Sequence, residues 1–188
     1  MEKFFLEEPK IDRKHDALDY LKEFVKYKSD FNGVGGLDRC LNGISYEQWL
    51  LELEKRKDIK YVNKINRCLS KTYFVVREDD YKIVGMINVR YNISDKRLKE
   101  GASHIGYGIR PTERRKGYAK MALYLGLIEE KKLGEEKVIL VCDVNNIGSN
   151  KAILAMGGVL EKTELDKSDN IMTNYYWIDV NYSIQKGI

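Results

Sequence analysis

Proline is almost missing from this sequence: Pro9 and Pro111 are the only two in 188 residues, so little in the chain forces helices or strands to break. Cysteine is scarce as well. Cys40, Cys68 and Cys142 are odd in number, far apart and in no CxxC pair, which disfavours a disulfide framework and a zinc site and reads as three buried thiols. No apolar run approaches the roughly 20 residues of a membrane helix, and no Ser/Gly-rich linker, low-complexity tract or internal repeat interrupts the chain. An excess of one charge is missing too: 33 Lys and Arg face 29 Asp and Glu, and a net +4 spread along the chain is too little to indicate a nucleic-acid partner. The first residues turn acidic after Phe4, Phe5 and Leu6 and lack the apolar core of a secretory signal, so a cytoplasmic location without membrane association is expected. The sequons at Asn92 and Asn181 would then stay unmodified.

What remains is an ordinary globular mixture, 43% hydrophobic and 33% charged, which argues against disorder, collagen and coiled coil. At about 150 residues per domain the chain reads as one domain over residues 1–188. Lys3 to Glu8 reads as a short strand stopped by Pro9. Leu18, Leu21, Phe24 and Val25 recur at helical spacing between His15 and Lys28. Phe31 to Gly43, with four glycines, reads as a mobile or tightly turned loop. Ser45 suits the N-cap of a second helix running to about Asp58. Thr72 to Arg77 and Ile83 to Tyr91 form a hairpin, and Ser103 to Arg110 adds a third strand, with Ile105, Tyr107 and Ile109 on one face. Met121, Leu125 and Ile128 mark a helix from Gly117 to Leu133, followed by a buried strand from Lys137 to Val144 and a short helix from Ser149 to Met156. Val159 to Leu165 and Met172 to Val180 close the chain as strands. This order specifies an α+β domain with a largely antiparallel sheet.

The chemistry concentrates where a strand ends at Arg110-Pro111 and the long helix begins at Gly117, with Arg114, Arg115 and Lys116 between them. A helix start presents free backbone N–H groups and the positive end of its dipole, a setting for anions and above all phosphates. Three basic residues there oppose the dipole unless an anion binds, which outweighs the plainer reading of a solvated face. GxxxxGK[ST] is absent, and Gly106-Tyr107-Gly108 lacks a third glycine, so neither a P-loop nor a Rossmann site is supported.

Arg114-Arg115-Lys116-Gly117-Tyr118-Ala119 matches the acyl-CoA signature (Q/R)xxGx(G/A). With Arg110-Pro111 before it, and Asn146-Ile147-Gly148-Ser149 and Gly157-Gly158 after it, the chain resembles the GNAT acetyltransferase superfamily along nearly its whole length. His104-Ile105-Gly106-Tyr107 is similar to a branch of bacterial acetyltransferases with unassigned acceptors. The resemblance implies a central, mostly antiparallel mixed sheet of about seven strands, splayed between the fourth and fifth and flanked by about four helices. It implies acetyl-CoA as cosubstrate, no metal, and a small-molecule or peptide amine as acceptor, attacking directly in a ternary complex. The diphosphate would lie on the backbone N–H groups of Arg115 to Ala119, with the side chains of Arg114, Arg115 and Lys116 near the phosphates. Pantetheine would pair with main chain at Ile109 and Arg110, with Asn146, Ser149 and Asn150 as further contacts; helix capping is the plainer role for Asn146 or Ser149. The Ile109 N–H would stabilise the oxyanion.

An amine of pKa about 10 arrives protonated, so a base must take its proton. His104, standing where many relatives carry a Glu, and Asp143 are the candidates; a histidine satisfied inside the sheet and an Asp capping a turn are the plainer readings. Tyr107 reads as core and His15 as surface. One position departs from the resemblance: Ile153 stands where many relatives have a Tyr that protonates the leaving thiolate. Two other readings compete, an acyl-CoA sensor without transferase activity and a nucleic-acid binder using Arg114 to Lys116. Phe31 to Gly43 and Asp166 to Asn170 are the expected acceptor-side loops. The edge of the last strands, with Tyr175, Tyr176 and Trp177, could pair with a second copy as a homodimer.

Overall fold

Tyr73 to Val76 and Ile83 to Met86 are apolar on consecutive positions, a pattern that requires burial on both faces. In the computed structural model, which describes residues 2–166 and 170–188, these segments belong to the inner strands of an antiparallel sheet. Its order is β1 (Phe4–Glu7), β2 (Leu69–Arg77), β3 (Ile83–Tyr91) and β4 (Ile105–Ile109). Tyr73, Val75 and Ile87 pack under the helix α5 (Tyr118–Lys132), whereas Phe74, Val76 and Met86 face α1 (Lys14–Lys26) and α2 (Tyr46–Lys55). A second antiparallel sheet runs β5 (Lys137–Asp143), β7 (Ile171–Asp179), β6 (Val159–Asp166). The seven strands and the α+β layering agree with the expected fold.

Among the described residues, four helices have nine residues or more: α1, α2, α5 and α6 (Ile147–Ala155). Three shorter ones, α3 (Ile59–Lys64), α4 (Asp95–Lys99) and α7 (Val180–Lys186), escape the periodicity because five to seven residues give at most two turns of pattern. Ser45 caps α2 in a full capping box: its hydroxyl accepts from Gln48 N–H, and the Gln48 side chain accepts from Ser45 N–H.

Of the two readings of Phe31 to Gly43, the tightly turned one holds: Val34 and Leu37 are buried and a 3₁₀ turn, Leu37–Asn42, lies between left-handed Gly36 and Gly43. Two expectations need correction. Tyr175 and Tyr176 lie on the central strand β7 and are buried, so the free edge of this sheet is β6. The three cysteines are free thiols but only half-buried. In the second proposed acceptor loop, residues 167–169 lie outside the described residues. No described helix is long and apolar enough to cross a membrane.

Candidate active site

The two sheets are fastened together just ahead of β4. His104 donates its backbone N–H to Ile139 O at 2.9 Å, and its imidazole Nδ1 accepts the Ile139 N–H at 3.1 Å. The ring takes the place a β4 carbonyl would fill, because the His104 carbonyl is already turned to the Arg90 N–H of β3. Beyond this point no ladder joins β4 to β5 among the described residues, and the strands part. Their carboxyl ends flank a cleft of about 740 Å³, lined by Tyr107, Ile109, Gly117, Asp143, Asn146 and Ser149 among others.

Register decides which backbone groups of β4 reach the cleft. Gly85 pairs with Ile109 and Val89 with Ile105, while Arg90 N–H bonds His104 O and Arg110 N–H bonds Val84 O. Hydrogen-bonded pairs alternate along an antiparallel ladder. The even-numbered residues of β4 therefore bond β3, and the N–H and C=O groups of Ile105, Tyr107 and Ile109 turn the other way, toward the parting. Glycine on the even positions has its own cause. A Cβ on Gly108 would lie 2.3 Å from Asn32 O, and one on Gly33 would lie 2.0 Å from the Tyr107 carbonyl carbon. The loop after α1 is laid directly across the strand and forms one wall of the cleft through Asp30 and Asn32.

At the mouth of the cleft, Arg115 (φ +67°) and Gly117 (φ +85°) are both left-handed. Such turns gather successive N–H groups into an anion-binding concavity. No side chain caps α5, whose first internal bonds run from Lys120 and Met121 to Gly117 O. The five N–H groups from Arg115 to Ala119 thus donate to no acceptor among the described residues. A Cβ on Gly117 would meet nothing within 4 Å, so glycine is required there by φ rather than by crowding.

The basic residues are not equivalent. Arg114 is committed to the fold: Nε donates to Ile109 O at 3.0 Å, a terminal nitrogen to Ser29 Oγ at 2.7 Å, and the guanidinium lies over the Phe24 ring. Lys116 donates to the buried carboxylate of Glu113 at 2.8 Å, a group shared with Arg77 and Lys82. Burial of Glu113 opposes its ionisation, yet the hydrogen bonds from Lys116, Lys82 and Arg77 together bring its pKa down to about 2. Arg110 is buried and paired with Asp19 and Glu23 of α1, away from the cleft lining, so its side chain secures α1 to the end of β4. Of the three basic residues in this turn, Arg115 alone has a side chain without a hydrogen bond or ion pair among the described residues, and Lys120 and Lys151 add two further unpaired cations to the cleft lining. Tyr118 gives its N–H to the concavity, while its phenol turns toward β1 and donates to Glu2.

Across the cleft, Asn146 accepts the Ser149 N–H at 3.1 Å and caps α6, the plainer of its two expected roles. Asn150 is fully engaged, donating to Asp143 O and Asn146 O and accepting from Asn174 and the Tyr176 hydroxyl, and does not face the cleft. Asp143 lines the cleft; one carboxylate oxygen accepts the Asn145 N–H at 2.7 Å. His104 does not. It is 3% exposed in the seam, where burial lowers its pKa against the weaker opposing pull of Glu135. Its acceptor Nδ1 places the neutral ring's proton on Nε2. The geometry therefore separates the two base candidates and brings only Asp143 to the opening.

The sequence reading missed one pair. The Tyr107 phenol, assigned to the core, meets Ser149 Oγ at 2.9 Å between β4 and α6, and both residues line the cleft. The signal was available: Tyr107 shares its face with Ile109 at strand spacing. No group of three or more His, Cys, Asp or Glu among the described residues could hold a metal ion.

Comparisons with known proteins agree with this fold. None of the curated proteins matches the chain. Solved structures of similar fold include the microcin C7 self-immunity acetyltransferase in complex with acetyl-CoA and AMP, 17% identical over 94% of this chain and 92% of that one, TM-score 0.63. The ribosomal L7/L12 alpha-N-protein acetyltransferase in complex with coenzyme A is 13% identical over 94% and 93%, TM-score 0.65. The spermidine/spermine N-acetyltransferase of Vibrio cholerae is 14% identical over 98% of each chain, TM-score 0.60. At such identities the likeness is one of fold. The sequence profile of the acetyltransferase (GNAT) family matches residues 41–157, well over half of the chain. On that match the chain belongs to the GNAT family, as a GNAT-type N-acetyltransferase.

Proposed function

We propose that the chain, as one domain over residues 1–188, transfers the acetyl group of acetyl-CoA to a primary amine of a small molecule or peptide, by direct attack in a ternary complex. The observation that carries this is the run of five free N–H groups from Arg115 to Ala119 opening onto the gap between β4 and β5. Those groups suit a diphosphate: backbone donors at a helix start, positive dipole, and an uncommitted guanidinium at Arg115. The outward N–H and C=O groups of Tyr107 suit the amides of a pantetheine arm, and the Ile109 N–H suits a developing oxyanion, the Ile109 carbonyl being held by Arg114. Asp143, a carboxylate in the cleft lining, takes the proton from the arriving ammonium in this reading. His104 we assign to holding the seam closed. A bacterial, cytoplasmic setting goes with this reading, the cysteines being free thiols.

The acceptor class follows from the relatives only as far as amines: one is named for spermidine/spermine, another for a protein α-amine. Titration calorimetry with acetyl-CoA, then thiol release across polyamines and free-N-terminus peptides, tests the reading. Saturable heat with amine-dependent thiol release is the expected result. Saturable heat without thiol release would leave an acyl-CoA sensor, and no heat would remove the donor altogether.

A further inference from the structure

We infer that Tyr107 and Ser149 form a two-hydroxyl relay that passes a proton from the attacking amine to the departing sulfur; this rests on the acetyl transfer proposed above. Thioester aminolysis by a neutral amine moves one proton from nitrogen to sulfur, and the path must cross the site where the C–N bond forms and the C–S bond breaks. Both hydroxyls belong to residues that line the cleft between β4 and α6. Tyr107 lies two residues before Ile109 on the same outward-facing register, and Ser149 stands in the first turn of α6, so the pair spans the parting from β4 to α6 at 2.9 Å. A hydroxyl both donates and accepts, so two in contact can hand a proton from one to the other.

The balance closes without a further reactant. As the amine nitrogen bonds the acetyl carbon, its proton passes to the Tyr107 oxygen, Tyr107 passes its own to Ser149, and Ser149 passes its own to the sulfur as the C–S bond breaks. The products are the amide and the free thiol, and both hydroxyls end as they began. Asp143 handles only the first proton, which converts the ammonium to the amine. Burial keeps the Tyr107 phenol and the neighbouring Cys142 thiol protonated at neutral pH, so the relay is filled and no thiolate competes with it. Ile153, one turn further along α6, has no proton to offer.

Hydroxylamine is the chosen acceptor, because it is small and unprotonated at neutral pH and so needs no base. Wild-type enzyme, Tyr107→Phe, Ser149→Ala, Ser149→Thr and the double variant Tyr107→Phe/Ser149→Ala are compared for thiol release from acetyl-CoA, with acetyl-CoA affinity and Tm measured on each. A relay predicts at least a tenfold fall in kcat for each single variant. It also predicts acetyl-CoA affinity within twofold, substantial recovery in Ser149→Thr, and a double variant no slower than the slower single. A kcat within twofold of wild type in the double variant overturns the proposal, as does a loss confined to Tm and affinity, which is the mark of a structural strap. Wild-type enzyme that binds acetyl-CoA but releases no thiol above the solution rate also overturns it. Failure of acetyl-CoA to bind at all would instead bring down the parent reading, and the relay with it.

Discussion

The two ends of the β4/β5 seam are built from similar polar materials and use them in opposite ways. At the closed end, His104 and Glu130 are buried among Arg90 and Glu135 and are held uncharged by desolvation. Glu130 is completely buried, and its pKa is pushed up to about 9 by burial first and by Glu135 second. At the open end, the five backbone N–H groups from Arg115 to Ala119, the Arg115 guanidinium and the Asp143 carboxylate lie at the cleft without an ion pair among the described residues. A polar group that the fold has already satisfied or neutralised serves stability. One that the fold leaves ready at the surface of a cleft can serve a ligand.

The largest test of this contrast is Gly117→Glu, which sets a carboxylate among the free N–H groups at a left-handed position. We expect acetyl-CoA affinity to fall by about 100-fold or more, from like-charge repulsion worth several kcal/mol, with calorimetry as the measure and Tm as the control for folding. Next comes a pair of substitutions that exchanges the two ends. Asp143→Asn should lower kcat by about 100-fold with affinity for acetyl-CoA retained. His104→Ala should instead cost about 2 kcal/mol of stability by orphaning the Ile139 N–H, with kcat little changed. If His104→Ala abolishes turnover in a fully folded protein, the division between the ends is wrong.

The pH dependence of stability sharpens the same division. Glu130 keeps its proton up to about pH 9 when folded but loses it near 4.5 when unfolded. The native state thus binds more protons across that window, and stability falls as pH rises through it, by at most about 1.4 kcal/mol per pH unit. Glu130→Gln should flatten this slope in melting curves between pH 5 and 9. His104 acts in the opposite sense, because its folded pKa lies below the unfolded 6.5, so stability also declines as pH drops under that value. The smallest effect belongs to the basic turn: Arg115→Ala should weaken acetyl-CoA binding by about fivefold, while Lys116→Ala should change it less, its charge being already matched by Glu113.

Much of the frame is readable from residue order. The hairpin of β2 and β3, the long helix α5 and the capped start of α2 follow from apolar spacing and cap chemistry, which are local properties. The turn from Arg114 to Ala119 stands out because basic residues at a helix start are locally unfavourable without an anion. The three short helices were not legible, since each is shorter than the pattern that would announce it. The four glycines after α1 left mobile and tightly turned readings open, and only the fold shows the close approach of Gly33 to the Tyr107 backbone and of Asn32 O to Gly108 that decides between them.

Sequence alone therefore determined the strands, the longer helices, their order and the backbone turn that offers its N–H groups. Tertiary structure decided which polar side chains remain available. Arg110 meets Asp19 across 91 positions, Arg114 meets Ser29 across 85, and Tyr107 meets Ser149 across 42. The reason is physical: a helix start or a strand period is set by neighbours a few residues away, whereas the partner that satisfies a charge or a hydroxyl is whichever group the folded chain brings within about 3 Å.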